Sequence, residues 1–302
     1  MNFWPKGIHG LLFCCVFSGY IFSHLNSGSH SQSNVDLIVF SFNRPLQLYS
    51  FLESVYKYTS NLSKISVLYR SENEKYESAY QEVQQLFPEV FFIRQGKRPK
   101  VDFKPLLLQC FNSSSEYIVF GVDDIIVKDY IDFDECISVM KKIDAHGFFL
   151  RLGKNITRVY NGGYKVQQPK LYSVKKDIFR FTIKKGVKYW GYPNNVDMTI
   201  YKKSVIEKFF KSESYTSPNK LEAKWSSKSV KNRIGLCFET SKILNIPLNI
   251  VQRDFSNKHE DSFSPKKLLD LWNNRLKLDI DFCFQMNNES PHVGLIPLFI
   301  ER

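Results

Sequence analysis

The sequence predicts an α/β domain with a mostly parallel central sheet flanked by helices. Over residues 35–130, apolar runs typical of strands buried on both faces alternate with segments of helical periodicity. The chain of 302 residues also contains 26 Phe and 16 Tyr, which favours a sheet over a helical bundle. Hydrophobic residues make up 43% of the sequence, which excludes global disorder.

The first half of the chain reads as a regular succession of strands and helices. Strands are predicted at 35–42, 65–69, 90–93 and 117–122, and helices at 46–59, 73–87 and 105–111. Strands separated by helices of this length become parallel neighbours in one sheet. We therefore expect residues 35–130 to form a four-stranded parallel unit.

The order of elements in the second half is mixed. Helices are predicted at 133–146, 202–211, 219–230 and 265–276, strands at 148–152 and 247–251, and a loose hairpin at 164–183. No composition break separates the halves. We therefore predict one main domain over 35–302, divided into a first half at 35–130 and a second half at 131–302.

The N-terminal 34 residues have a different character. A single Lys precedes an apolar run over 7–22, and a polar linker rich in Ser and Asn follows up to residue 34. The run is shorter than the roughly 20 residues of a full membrane span. A signal peptide, a signal anchor and an apolar tail on a cytoplasmic protein are the alternatives. Because no A-x-A cleavage site follows, we expect an uncleaved anchor and a membrane-associated protein.

Charge and cysteine content narrow the function classes. The formal net charge is +12, with basic clusters at 96–104, 174–188 and 201–231. Such a balance suits an anionic membrane surface, a polyanion or a phosphate-bearing substrate. No pattern of a nucleic-acid-binding module is present, so no nucleic acid partner is expected. The six Cys have no CxxC spacing, which argues against a disulfide scaffold or a structural zinc site.

Charged residues follow several of the predicted parallel strands. Arg44 and Arg70 come after the first and second strands, and Asp123 and Asp124 close the fourth. In an open parallel sheet, ligands bind beyond the carboxyl ends of the strands. Arginines there suit phosphate, and paired carboxylates suit a hard divalent cation. These residues together predict a binding site for a metal-bound nucleoside diphosphate. The alternatives are that the arginines form surface ion pairs and that the two aspartates stabilise a turn or cap a helix.

Two segments of the first half resemble the GT-A glycosyltransferases, in particular their family-2-like branch. They are VDLIVFSFNRP and SEYIVFGVDDIIV, where Val122 stands in the place of the usual first Asp of the metal motif. The resemblance implies a GT-A, Rossmann-like fold and a Mn²⁺ or Mg²⁺ cofactor held by Asp124 and Asp123. The donor-side residues that it implies are Phe42, Arg44, Arg70, Lys104 and Asp123.

The second half resembles a subset of these transferases in the segments YWGYP, VDM and SPNKLE. The resemblance places Trp190, Asp197 and Glu222 around an acceptor pocket, with a core role as the alternative for Trp190. Asp197 or Glu222 would be the catalytic base. Met198 stands where relatives carry Gly. A late metal or phosphate contact is expected from His292 or His259.

The resemblance implies transfer of a sugar from a nucleotide-sugar donor to a hydroxyl of a glycan or lipid-linked acceptor. One alternative is a non-catalytic, membrane-anchored binding protein with a degenerate transferase fold. Another is a nucleotidyltransferase, although the loop SFNRPLQ lacks the Gly residues expected for that class. Nucleotide binding that depends on a metal would separate the enzyme from the binding protein.

Overall fold

The computed structural model describes residues 34–160, 163–183, 188–230, 233–251 and 263–302. The predicted N-terminal anchor and His259 lie outside these ranges. Residues Ser33–Arg302 make up one compact unit. Within the described ranges, no helix combines the length and the apolar character needed to cross a membrane.

Seven α-helices and fifteen strands are present in the described residues. The helices are α1 Pro45–Tyr58, α2 Glu74–Leu86, α3 Pro99–Cys110, α4 Phe133–Ile143, α5 Lys203–Ser212, α6 Pro218–Ser226 and α7 Pro265–Asn273. The strands are β1 Val35–Phe42, β2 Thr59–Ser60, β3 Lys64–Arg70, β4 Phe91–Arg94, β5 Tyr117–Val122, β6 Ile125–Val127, β7 Ile131–Asp132, β8 Gly147–Phe149, β9 Tyr172–Lys175, β10 Ile178–Thr182, β11 Thr199–Lys202, β12 Ile234–Phe238, β13 Ile243–Asn245, β14 Leu276–Leu278 and β15 Phe299–Glu301.

The main sheet has the order β4-β3-β1-β5-β11-β8-β12-β10-β9. Strands β4, β3, β1 and β5 are parallel neighbours, as the sequence predicts. Strand β11 runs antiparallel to both β5 and β8, so β8 points the same way as β5. Strand β12 is parallel to β8, and β10 and β9 add antiparallel pairs at the edge. The predicted fold class, a mostly parallel sheet flanked by helices, is confirmed.

Strand β1 lies at the centre of the parallel part of the sheet and explains how the two faces are filled. Its alternate side chains join two different apolar clusters, Leu37 in one and Ile38 in the other. Residues of α1, α2, α4 and α7 belong to the first cluster, and residues of α3, α5 and α6 to the second. A strand covered on both faces needs an apolar run, which residues 37–40 supply between the buried polar residues Asp36 and Ser41.

The turn from β1 into α1 is set by local residue types. Asn43 takes a left-handed backbone with φ 53°, a conformation that Asn tolerates better than most residues. Pro45 then occupies the first turn of α1, where its missing N–H leaves no helical hydrogen bond unmade. The carboxyl end of β1 is therefore followed at once by a helix, which keeps Arg44 at the edge of the sheet.

Several predicted element boundaries differ from those in the structure. Residues 247–251 form no strand; β13 ends at Asn245, and Pro247 has no N–H to donate to a ladder. Strands β11 and β12 were not predicted. The helix predicted at 105–111 begins earlier, at Pro99, and contains Pro105 in its interior. The hairpin expected within 164–183 is present as β9 and β10.

Candidate active site

One cavity of about 1,410 Å³ lies at the carboxyl ends of the parallel strands. This position follows from the topology, because β1, β3, β5 and β8 all end on the same edge of the sheet. The cavity brings together eight of the sequence-predicted site residues: Phe42, Arg44, Arg70, Asp123, Asp124, Asp197, Glu222 and His292. We call the part near Asp123 and Asp124 the β5 end and the part near Asp197, Glu222 and His292 the α6 end.

Asp123 is a buried acceptor that anchors the β5 end. Its Oδ2 accepts hydrogen bonds from Ser41 Oγ at 2.8 Å and from the Phe42 N–H at 3.2 Å. Its Oδ1 accepts one from Arg44 Nη1 at 2.9 Å. Both carboxylate oxygens are therefore engaged with protein donors.

Arg44 is buried between the two acids and departs from its predicted role as a free donor-side charge. Its Nη1 contacts Asp123 and also Asp124 Oδ2, the latter at 3.2 Å. Its Nε donates to Asn249 Oδ1 at 2.9 Å, and its Nη2 donates to the Asn249 carbonyl. Burial lowers the pKa of Arg44, but the charges of Asp123 and Asp124 outweigh it and raise that pKa. Arg44 compensates the charge of the acidic pair.

Asp124 differs from Asp123 because one of its carboxylate oxygens accepts no hydrogen bond from the described residues. Its Oδ1 is buried and has no hydrogen-bond partner among the described residues. Burial raises the pKa of Asp124 to about 7, with Asp123 and Asp197 adding to the shift and Arg44 opposing it. A buried carboxylate oxygen without a donor calls for a ligand. The donor chemistry fits a hard cation, which prefers such oxygens.

Phe42 and Arg70 form a flat surface beside the acids. They are register partners on β1 and β3, and the Arg70 guanidinium carbon lies 4.6 Å from the centre of the Phe42 ring. Next to them, Asn43 Nδ2 donates to Glu72 Oε2 at 3.0 Å, and the Glu72 N–H donates to Asn43 Oδ1 at 2.9 Å. An aromatic ring with a guanidinium over it can also receive a planar ring by stacking.

Glu222 is held at the α6 end by the cap of its helix. Ser217 accepts from the Lys220 N–H and Pro218 begins α6, so Glu222 follows within the first turns. Glu222 Oε1 accepts a hydrogen bond from the Val196 N–H at 3.2 Å. Burial and the charge of Asp197 together raise the pKa of Glu222 to about 8, against the opposing effects of that hydrogen bond and of Arg151. Glu222 is therefore largely protonated at neutral pH.

The backbone around Asp197 is unusual. The Asp197 N–H donates to Asn195 Oδ1 at 3.1 Å, and the next residue, Met198, has φ 50°. This left-handed conformation is uncommon for a side chain such as Met. Met198 therefore adopts the backbone that a Gly would supply at this position, and its buried side chain packs in the core. The turn that presents Asp197 is kept without the Gly.

His292 closes the α6 end. Its ring lies 5.9 Å from the Tyr160 ring and 6.3 Å from the Tyr189 ring, measured between centres. Burial lowers the pKa of His292, and although Asp197 opposes this effect the net shift is downward. Among the described residues, no group of three or more His, Cys, Asp and Glu side chains is arranged to hold a metal ion. The role of His292 as a metal ligand therefore stays a prediction.

Comparison with known proteins adds one sequence relative. The chain is 28% identical over 195 residues to the bifunctional glycosyltransferase pgtA of Dictyostelium discoideum, which covers 58% of this chain and 25% of that protein. The chain spans about a quarter of the length of the curated relative it matches. No protein-family model matches the chain.

Solved structures with a similar course of the chain are more distant. S. aureus TarS 1-349 in complex with UDP is 11% identical, with a TM-score of 0.41, and the match covers 68% of this chain and 60% of that one. The mannosyltransferase PcManGT from Pyrobaculum calidifontis, in complex with GDP-Man and Mn²⁺, is 9% identical, with a TM-score of 0.36. That match covers 61% of this chain and 49% of the mannosyltransferase.

Two residues that the GT-A resemblance implied are not among those that line the cavity. Lys104 Nζ donates to the carbonyls of Lys211 at 2.7 Å and Glu213 at 2.8 Å, so it holds the end of α5. Trp190 is buried and packs edge-on against Phe181 with 5.0 Å between ring centres. This environment agrees with the alternative prediction for Trp190, a role in the core. The predicted donor-side role of Lys104 is therefore corrected: the side chain links α3 to the end of α5.

Arg151 is a cavity residue that sequence reasoning missed. It follows β8 and lines the cavity with Tyr160, Tyr189 and Tyr192. The strand over 148–152 was predicted, but its place in the sheet was not. Had β8 been recognised as parallel to β5, the rule about carboxyl ends of strands would have singled out Arg151 as well.

Proposed function

We propose that this protein is a glycosyltransferase that moves a sugar from a nucleoside-diphosphate sugar to an acceptor hydroxyl. The observation that carries the proposal is the buried, unpartnered Oδ1 of Asp124 in the same cavity as the acids Asp197 and Glu222. The β5 end would receive the donor and the α6 end the acceptor. The sequence similarity to a glycosyltransferase supports the same conclusion.

Asp124 would hold a divalent cation, Mn²⁺ or Mg²⁺, together with the phosphates of the donor. Mg²⁺ is commonly bound by one or two carboxylates plus substrate phosphates, so a single free carboxylate oxygen suffices. When bound, such a cation offsets the negative charge that develops on the leaving diphosphate. Asp123 already accepts hydrogen bonds at both oxygens, and we assign it the positioning of Arg44 and of the β1 edge.

Phe42 and Arg70 would receive the base of the nucleotide. The ring and the guanidinium together offer a flat face at the carboxyl ends of β1 and β3. Stacking on such a face tolerates different bases, so the choice of base depends on hydrogen bonds at its edge. Asn43 and Glu72 also line the cavity and carry polar groups suited to that purpose.

Asp197 would accept the proton of the attacking hydroxyl. A general base must be ionised at the working pH, and the raised pKa of Glu222 leaves Glu222 protonated at neutral pH. Glu222 would then serve as a hydrogen-bond donor to the acceptor. The mechanism thus gives the two acids different tasks because their surroundings differ.

The acceptor class and the membrane attachment remain proposals from the sequence. The apolar run over 7–22 would tether the domain to a membrane, and a glycan or lipid-linked acceptor would suit that location. Removal of residues 7–22 followed by flotation of the protein with liposomes tests the tether. Full-length protein that does not float with liposomes would overturn it.

Calorimetric titration of the full chain with UDP and with GDP tests the donor site. We expect Mn²⁺-dependent binding of one nucleotide, its loss in Asp124→Asn, and its retention in Asp134→Asn, which changes an acid on the separate helix α4. Absence of nucleotide binding to a folded chain would overturn the proposal. Release of nucleoside diphosphate from the matching nucleotide-sugar would separate an enzyme from a binding protein.

A further inference from the structure

We propose that Arg151 binds a negatively charged group of the acceptor, a carboxylate or a phosphate. This proposal rests on the proposed transferase function and adds a substrate class to it. The acceptor would then be an acidic sugar or a phosphorylated one rather than a neutral glycan. Arg151 is a buried charge without an ion-pair partner among the described residues.

Arg151 is 2% exposed, so its guanidinium is nearly removed from water. Its Nη2 makes two long hydrogen bonds, to the carbonyls of Tyr189 at 3.4 Å and Tyr192 at 3.3 Å. Its Nε is buried and has no partner within the described part of the chain. An arginine stays charged at any ordinary pH, and a buried charge is costly unless it is paired.

The contrast with Arg44 shows what Arg151 lacks. Arg44 is similarly buried, yet it contacts two carboxylates and the side chain of Asn249. No ion pair within 4.0 Å joins Arg151 to an acid in the described ranges. A buried guanidinium whose Nε has no partner and whose Nη2 makes only long hydrogen bonds is matched by an oxyanion, which accepts charge-assisted N–H bonds.

The position of Arg151 assigns the anion to the acceptor. The residue follows β8 and lies over the Tyr192 ring, with 5.7 Å from the guanidinium carbon to the ring centre. Its charge acts on both Glu222 and His292, so it belongs electrostatically to the α6 end. Tyr160, Tyr189 and Tyr192 line the same region and offer faces on which a sugar ring packs.

An anion held there would also orient the acceptor. The charge of Asp197 acts on Glu222 and His292 and also on Asp124, so within the α6 end Asp197 is a residue whose charge extends to the β5 end. An acceptor fixed by its anionic group at Arg151 would have fewer ways to present its hydroxyls to Asp197. Positioning of this kind raises the rate by restricting the reactants to productive geometries.

The test compares matched neutral and anionic probes on the full chain with Mn²⁺ and saturating UDP, so that the diphosphate region is filled. The pairs are methyl β-glucuronide against methyl β-glucoside and glucose 6-phosphate against glucose, measured by calorimetry. We expect the anionic member of at least one pair to bind about tenfold more tightly, the size of one charge-assisted hydrogen bond. Arg151→Gln should abolish the preference and Arg151→Lys should retain part of it.

Arg158→Gln is the matched control, because Arg158 is a half-exposed arginine that pairs with Glu289 at 3.0 Å. UDP binding to Arg151→Gln reports that the variant is folded. Repeating the titrations with GDP in place of UDP, and without a nucleotide, keeps the result readable if UDP does not bind. Only the failure of both nucleotides to bind would count against the transferase function. Equal binding within both pairs would overturn the proposal. A preference for UDP-glucuronate over UDP-glucose that needs Arg151 would move the anion to the donor and overturn it too.

Discussion

The two ends of the cavity contain similar residue types but differ in how many of their polar atoms are hydrogen-bonded within the protein. At the β5 end, Asp123 and Arg44 use nearly all their polar atoms within the protein, and Ser41 links Asp123 to Tyr80 through hydrogen bonds of 2.8 and 2.6 Å. At the α6 end, the described part of the chain provides Glu222 with one backbone donor and Arg151 with two long hydrogen bonds. The hydrogen-bonded groups of the β5 end are held in fixed orientations and can stabilise developing charge without reorganising. Glu222 and Arg151 have fewer partners, so Glu222 can take up a proton and Arg151 can bind a ligand.

Tyr80 shows how the β5 end is made rigid. Its hydroxyl also accepts a hydrogen bond from the Arg44 N–H at 3.0 Å, so α2 is tied to the turn between β1 and α1. Burial raises the pKa of Tyr80, with Asp123 adding to the shift, so the hydroxyl stays protonated and can donate. From this difference we expect substitutions within the Arg44–Asp123 network to act on folding, and substitutions of Asp197 at the α6 end to act on turnover.

The largest effect should come from Asp197→Asn. Loss of a general base lowers the rate by about 10²–10⁴-fold. Glu222→Gln mimics the protonated carboxyl and keeps an acceptor for the Val196 N–H, so we expect a loss of less than about tenfold. The measurement is the release of nucleoside diphosphate from the donor, with water or an acceptor as nucleophile.

Equal unfolding midpoints in urea would show that both variants are folded. If Glu222→Gln were the more damaging of the two, the assignment of base and hydrogen-bond donor would have to be reversed. In that case the raised pKa of Glu222 would mark the base, with turnover rising as pH increases towards 8.

The next largest effect should be the destabilisation caused by Arg44→Met. The change leaves Asp123 and Asp124 buried without their shared counter-charge, which costs about 3–5 kcal/mol in the free energy of unfolding. Arg158→Met is the control, because Arg158 and Glu289 are 43% and 60% exposed and pair at 3.0 Å, and an exposed ion pair of this kind is worth at most about 1 kcal/mol. Urea unfolding measures both. Equal losses would contradict the view that the β5 end is a buried network.

A smaller effect concerns the dependence of stability on pH. Because the folded-state pKa of Glu222 is raised to about 8, the folded chain binds this proton more tightly than the unfolded chain. The resulting stabilisation is complete below the ordinary pKa of Glu and is lost as pH rises through 8. Wild type should therefore lose about 2 kcal/mol relative to Glu222→Gln between pH 4.5 and 8.5, after allowance for partial exposure. Parallel stability curves would contradict the shift.

The β5 end was largely predictable from sequence because its residues follow strands whose order the alternating pattern implies. Phe42, Arg70 and Asp124 come directly at or after apolar runs, and parallel strands end on one edge. The pattern does not tell whether an arginine faces a ligand or an acid of its own chain. Arg44 was therefore assigned to the donor, although Asp123, Asp124 and Asn249 take up its donors.

The α6 end was less accessible to prediction because long-range pairing decides it. Strand β11 is four residues long and was missed, yet it sets the direction of β8 and hence the position of Arg151. Asp197 and Glu222 were found through resemblance and not through periodicity. Lys104 was misplaced because a basic stretch does not show which of its lysines cap helix carbonyls, and the fold brings α5 to Lys104 from about a hundred residues away.

The smallest expected effect is a change in nucleotide affinity that Arg70→Met should cause and Lys104→Met should not. Arg70→Met removes the guanidinium over Phe42 and should weaken UDP or GDP binding about three- to fivefold, the size of an exposed cation–π contact. Lys104→Met should leave the affinity unchanged, because its ammonium serves two backbone carbonyls away from the cavity. Calorimetric titrations with Mn²⁺ measure both constants. A loss in Lys104→Met as large as that in Arg70→Met would return Lys104 to the donor site and extend the β5 end to α3.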